Sequence, residues 1–229
     1  MKAAAFAALF LLAAPSFAKA TEGKPSDEIT FTAQSVNVEQ PGTPVKITIL
    51  RWSTEDETRP IVTALAAPPA QPSQVARDNA AAAGRGRAGA AGRGRGRGGA
   101  APPLSPIAAF TAALNRVPTV GYIWTNDITG YSIKYAWHAP LPDGTERVVL
   151  VSNRRLGADD AKWKTQAPDT DYVFTLFELR TGPKGLIEGK TSLANKIVVD
   201  ADAKTVALEN YAAATVTLAK PALPQRRKS

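Results

Sequence analysis

Cysteine is missing from this chain of 229 residues, and histidine occurs once, at position 138. Without thiols there can be no disulfide, no thiol nucleophile, no Cys-based zinc site and no lipid anchor on a cysteine. A single imidazole also excludes a multi-histidine metal centre. A Ser-His-Asp triad would have to recruit His138, and no Ser lies in a G-x-S-x-G context. There is no P-loop and no G-x-G-x-x-G in a strand-helix setting. No apolar run reaches the roughly 20 residues that a bilayer-spanning helix needs. No cofactor, no metal and no catalytic set is therefore expected.

What is present begins with MKAAAFAALFLLAAPSFAKA. Lys2 supplies a positive start, Ala3 to Ala14 an apolar stretch too short to span, and Pro15 breaks the helix before small residues suited to cleavage. This is the pattern of a secretory signal peptide over residues 1–20. The expectation is export to the periplasm or the exterior, with no transmembrane segment in the mature chain.

The formal charge of +8 is unevenly spread. The signal region carries two positive charges. Residues 68–103, almost wholly Ala, Gly, Arg, Pro and Gln, carry six Arg against Asp78, a net +5. The tail, 219–229, adds four from Lys220, Arg226, Arg227 and Lys228. Taking these eleven from +8 leaves the foldable part at −3. The tract GRGRAGAAGRGRGRGG cannot bury enough apolar surface to offset its conformational entropy, so it reads as a disordered insert. It lacks the interleaved aromatics that stack on bases. Arg85, Arg87, Arg93, Arg95 and Arg97 are nonetheless candidates for weak, salt-dependent, non-specific polyanion binding.

The remaining segments, 21–67 and 104–218, read as one β-rich domain. Thr54 and Glu57 have capping-box spacing before Ile61 and Leu65, although Pro60 is expected to shorten, kink or delay that helix. Ser105-Pro106 signals a second helix start, with Ile107, Phe110, Leu114 and Val117 at helical spacing. Elsewhere alternation dominates: Ile29, Phe31 and Ala33; Val45, Ile47 and Ile49; then TVGYIWTN, GYSIKYAWHA and TERVVLVSN, with Asp143-Gly144 as a hairpin turn. In the second of those three, Tyr131, Ile133, Tyr135 and Trp137 are expected on one face. DYVFTLFEL, a run from Leu186 to Val199, TVALENY and ATVTL follow. The expected fold is mainly β, an antiparallel sandwich or barrel of about eight strands with two short helices.

Carboxylate pairs occur at Asp159-Asp160, Asp169/Asp171 and Asp200/Asp202. With His138 they would be the material for a hydrolase, but they fall in loops, where Asp ordinarily caps turns. Neither D-x-D spacing continues into a calcium loop. The remaining constellation is aromatic: Tyr122, Trp124, Tyr131, Tyr135 and Trp137 lie on two neighbouring strands. If they contact a ligand rather than only filling the core, Trp124, Tyr135 and Trp137 are the candidates.

The segments VGYIWTNDITGYSIKYAWHAPLPDGTERVVLVSNRRLG and DYVFTLFELRTGPKGLIEGKTSL…ALENYAAATVTL resemble a set of hypothetical secreted bacterial proteins with no assigned function. The resemblance implies that the Arg-Gly insert is peripheral, and it carries over no functional residue. The expected role is an exported binding or interaction module of the cell envelope, its partner a small molecule or an envelope protein. Periplasmic hydrolysis and polyanion tethering by the insert are the alternatives.

Overall fold

A computed structural model describes residues 28–67, 104–126, 129–158, 161–165 and 170–221. The expected choice between sandwich and barrel resolves as a closed antiparallel barrel of eight strands. In chain order the strands are β1 (Ile29–Ser35), β2 (Pro44–Ile49), β3 (Gly121–Trp124), β4 (Tyr131–Pro140), β5 (Glu146–Ser152), β6 (Thr175–Gly182), β7 (Gly185–Thr191), β8 (Ile197–Asp200), β9 (Thr205–Leu208) and β10 (Val216–Ala219). Each barrel strand pairs with its sequence neighbour, except that the β8–β9 hairpin is inserted between β7 and β10. The anticipated run from Leu186 to Val199 is thus two strands with a turn between them. Closure rests on a short seam, Gln34 opposite Ala219 and Ser35 opposite Leu218. It is extended by the Val36 N–H on Thr217 O at 2.9 Å and the Asn37 side-chain amide on Val216 O at 2.8 Å.

The barrel interior is a packed core. Ile47, Ile123, Ile133, Leu150, Phe177, Leu179 and Leu218, from six strands, are fully buried in one cluster. An eight-stranded barrel is just wide enough for side chains to fill. Two inward-facing glycines mark where it is tightest. A Cβ on Gly189 would come within 2.7 Å of Leu179 and 3.0 Å of Leu218, and one on Gly121 within 2.3 Å of the Thr48 carbonyl oxygen. The outward positions of β1 and β2 are polar instead: Thr30, Thr32 and Lys46 are exposed. An apolar inside and polar outside is the inverse of a membrane-spanning barrel.

Half of the outer face is covered by a second core. Helix α1 (Glu55–Ala66) and helix α2 (Pro106–Arg116) pack with the β8–β9 ribbon over β4, β5 and β6. Ile61, Phe110, Leu114 and Phe174 are its fully buried anchors. Thr54 and Glu57 form the expected capping box, and Ser105 caps α2 through the Ala108 N–H. Pro60 neither delays nor ends α1, which runs through it. The lost backbone bond is offset by burial of Ile61 and by the capped start, where Arg51 grips Glu57 with two bonds of 2.8 and 2.7 Å. Residues 1–27, which include the expected signal peptide, the expected insert at 68–103 and residues 222–229 lie outside the described residues. Ala219, expected in the tail, is the last residue of β10.

One sequence expectation is corrected. Tyr131, Ile133, Tyr135 and Trp137 do not share a face, because the β4–β5 register shifts between Ile133 and Tyr135. Lys134 is the extra residue, its ammonium donating to the Val117 carbonyl oxygen at 3.2 Å. A one-residue bulge inverts the side-chain alternation beyond it. Tyr131 and Ile133 therefore belong to the interior, Tyr135 and Trp137 to the outer core, and Ala136 faces inward.

Candidate functional site

The bulge separates the three aromatics singled out in the sequence. Tyr135 is fully buried between the barrel wall and the ribbon, its hydroxyl 2.5 Å from Thr205 Oγ1. Burial pushes that phenol up to about 12. Trp137 is half-buried in the same seam, with the Arg147 guanidinium 5.8 Å from its ring centre. Trp124 stands at the other end of the barrel, against Gly130. Gly130 is seven residues before Trp137, about 23 Å along an extended strand. Tyr135 and Trp137 are thus together and Trp124 is apart.

Trp124 has a different companion. On β3 the alternation of GYIW sends Gly121 and Ile123 inward and Tyr122 and Trp124 outward. The two rings lie 6.2 Å apart with 34° between their planes, and they are 37% and 47% exposed. A Cβ at Gly130 would meet three consecutive atoms of the indole at 2.9, 3.0 and 3.1 Å. Near-equal distances to adjacent ring atoms mean that the glycine lies against the ring's face. The indole is therefore held flat on the backbone, in a position that any larger residue at 130 would disturb. The strand register surrounds the pair with polar groups. Tyr122 stands between Thr48 and Ser132, and Trp124 is directly opposite Lys46, which is followed by Thr32. Beyond Gly130, Arg154 donates to Thr129 Oγ1 at 3.2 Å and covers the Tyr131 ring at 4.9 Å. The Tyr122–Trp124 pairing was readable as two outward aromatics two residues apart on one short strand.

Two of the hydrolase candidates, His138 and Asp200, make structural contacts. His138 is exposed at one mouth of the barrel and stacks on Trp52, ring centres 4.1 Å apart and 22° from parallel. Asp200 accepts from Arg147 at 2.6 Å and from the Ala203 N–H at 3.0 Å, which tightens the β8–β9 turn. Those bonds, Arg147's first, hold its carboxyl below the usual range. Asp202 is exposed in that turn, and Asp171 borders an open cleft of about 350 Å3 with Arg154 and Arg155. Asp159, Asp160 and Asp169 lie outside the described residues, as do Arg85, Arg87, Arg93, Arg95 and Arg97. Among the described residues no group of three or more His, Cys, Asp or Glu could hold a metal ion.

Comparison with family models, with curated proteins and with solved structures gave no match.

Proposed function

We propose that this protein is an exported, non-catalytic binding or interaction module of the cell envelope, and that its working surface is the uncovered half of the barrel around Tyr122 and Trp124. Export rests on the signal-peptide pattern of residues 1–20. A packed interior leaves the outer wall as the place to bind. The observation that carries the assignment is the exposed, glycine-backed Trp124 beside Tyr122, two large aromatics left in water by a fold that buries Tyr135 and half-buries Trp137 on its other wall. Rigid aromatic surface gives contact area at little entropic cost, which is the property of a recognition site.

Tyr135 and Trp137 act in this reading as supports of the covered half, not as ligand contacts. The test is native mass spectrometry of the protein purified gently from its own envelope fraction, alongside the Tyr122→Ala/Trp124→Ala variant. A bound species of defined mass that the variant loses supports the reading. A bare wild-type protein, or a species retained equally by the variant, overturns it. A released species shortened by hydrolysis would point to an enzyme instead, with His138→Gln the variant to compare.

A further inference from the structure

The outer wall around Tyr122 and Trp124 combines three features that together narrow the ligand. Its aromatic rings offer π faces of fixed orientation, since Gly130 holds the indole in place. Its immediate neighbours in the register, Thr48 and Ser132 beside Tyr122, carry hydroxyls rather than apolar groups. Its described strand positions carry charge of one sign: Lys46 is directly opposite Trp124 and no outward position of β1, β2 or β3 is acidic, while Arg154, which shares its cleft with Asp171, stands on the far side through Thr129.

A protein partner would ask for a contiguous apolar patch of several hundred Å2, and two aromatics set among hydroxyls do not supply it. A nucleic acid would ask for a tract of cations matched to successive phosphates. A pyranose matches more closely. Its C–H face packs on an aromatic ring, its hydroxyls exchange bonds with the exposed Thr32 and Lys46 and the half-buried Ser132, and a carboxylate on each sugar would be met by a flanking cation. We propose that the Tyr122–Trp124 platform binds an acidic polysaccharide, with sugar rings on the two aromatics and sugar carboxylates toward Lys46 and Arg154. This rests on the reading of the uncovered wall as the working surface, and it names the ligand class for it.

The probes are a β-1,4-linked hexaglucuronate and cellohexaose, which share a backbone and differ in the carboxylates. Calorimetric titration of the exported full chain should show the hexaglucuronate bound about tenfold or more tightly than cellohexaose, a gap of about 1.4 kcal/mol. Trp124→Ala should weaken it about tenfold or more, and Tyr122→Ala should do so independently should the first variant fold poorly. Lys46→Ala should weaken it and flatten its salt dependence, because one screened charge contact is gone. Converting Arg85, Arg87, Arg93, Arg95 and Arg97 together to Gln should leave it unchanged. Equal affinity for the two sugars overturns the acidic assignment. Binding that survives loss of Trp124 and Tyr122, or disappears with the five arginines, overturns the platform. If neither sugar binds, the proposal fails. The binding-module reading is judged separately by whether the envelope species depends on the two aromatics.

Discussion

The two halves of the barrel wall have opposite chemistry on the same scaffold. Across the middle of β4 to β7 most outward residues are covered, and several of their polar groups are held in bonds. Glu178, 1% exposed, accepts from Arg147 Nε at 2.8 Å and from the Leu208 N–H at 3.0 Å, while Arg147 reaches on to Asp200. On β7, Lys190 donates to the Tyr211 carbonyl oxygen at 2.7 Å, and Arg180 and Lys190 flank the Tyr211 ring at 4.5 and 4.3 Å. The Tyr211 hydroxyl meets Glu188 at 2.9 Å, and burial with that carboxylate raises the phenol well above its ordinary range. On β1 to β3 most outward residues, Thr30, Thr32, Lys46, Tyr122 and Trp124 among them, face water. The covered half is polar chemistry used to hold the ribbon and its loop; the bare half has kept its aromatics and a cation unburied.

The comparison breaks most sharply at Arg147. Arg147→Ala would strand the Glu178 carboxylate in a dry seam and release Asp200. The expected loss is about 3–5 kcal/mol, the cost of orphaning one member of a buried ion pair. Urea unfolding measures it. Lys46→Ala, a cation removed from the bare half, should change stability by less than about 0.5 kcal/mol. Similar losses at the two sites would mean that the halves do not differ as described.

Tyr135 gives the next largest effect, and it depends on pH. Its phenol is raised to about 12 in the folded protein, against 10.0 for an ordinary tyrosine. Below pH 10 it is neutral in both states. Between 10 and 12 the unfolded chain gives up the proton and the folded one keeps it, so stability falls as pH rises, by about 1.4 kcal/mol per unit from this group. Tyr135→Phe should lose about 1–3 kcal/mol at neutral pH, from the Thr205 hydroxyl left unpaired. It should also show a shallower alkaline limb in pH-dependent melts. An unchanged alkaline limb would remove Tyr135 from that role.

Much of this architecture was legible in the residues. The capping box at Thr54 and Glu57, the Ser105-Pro106 start, the Asp143-Gly144 turn and the two-residue alternation are local signals, and each marks its element. The bulge at Lys134 was not legible. Nothing in GYSIKYAWHA announces it, since Lys134 is extruded by the β5 register and by its bond to Val117, contacts made across the fold. That one residue redistributed the aromatic face. Two of three candidate residues, Tyr135 and Trp137, moved to the covered half. Trp124 acquired Tyr122, Gly130 and Lys46 as its company, a grouping that needs strand register as well as alternation. Pro60 does not set the start of α1 for a related reason: a helix can absorb one lost bond when tertiary burial of its neighbour holds the turn.

A smaller effect sits at the turn of the ribbon. Asp200 has its carboxyl lowered below 3.8 by Arg147 and by the turn's N–H groups. The stability it contributes is present above the unfolded value and is lost as pH falls through the lower folded value. Asp200→Asn should therefore leave an acid unfolding curve that is flatter below about pH 4. A curve that keeps the wild-type slope would assign the acid limb to other carboxylates, among them Glu57, which Arg51 also lowers.

The smallest effect on the fold should come from the residues that matter most to the proposed function. In the Tyr122→Ala/Trp124→Ala variant both rings come off a solvent-facing wall, outside either buried cluster. Exposed rings contribute little beyond their contact with Gly130, so chemical unfolding should shift by about 1 kcal/mol or less. Replacing Gly130 by Ala is the complementary change, since the added methyl would press on the indole face and tilt it out of place. Binding should fall in both variants, although G130A keeps both rings. A large stability loss in the double variant would make the pair structural, and would place the working surface elsewhere. Full binding by G130A would show that the indole's fixed orientation is not what the ligand reads.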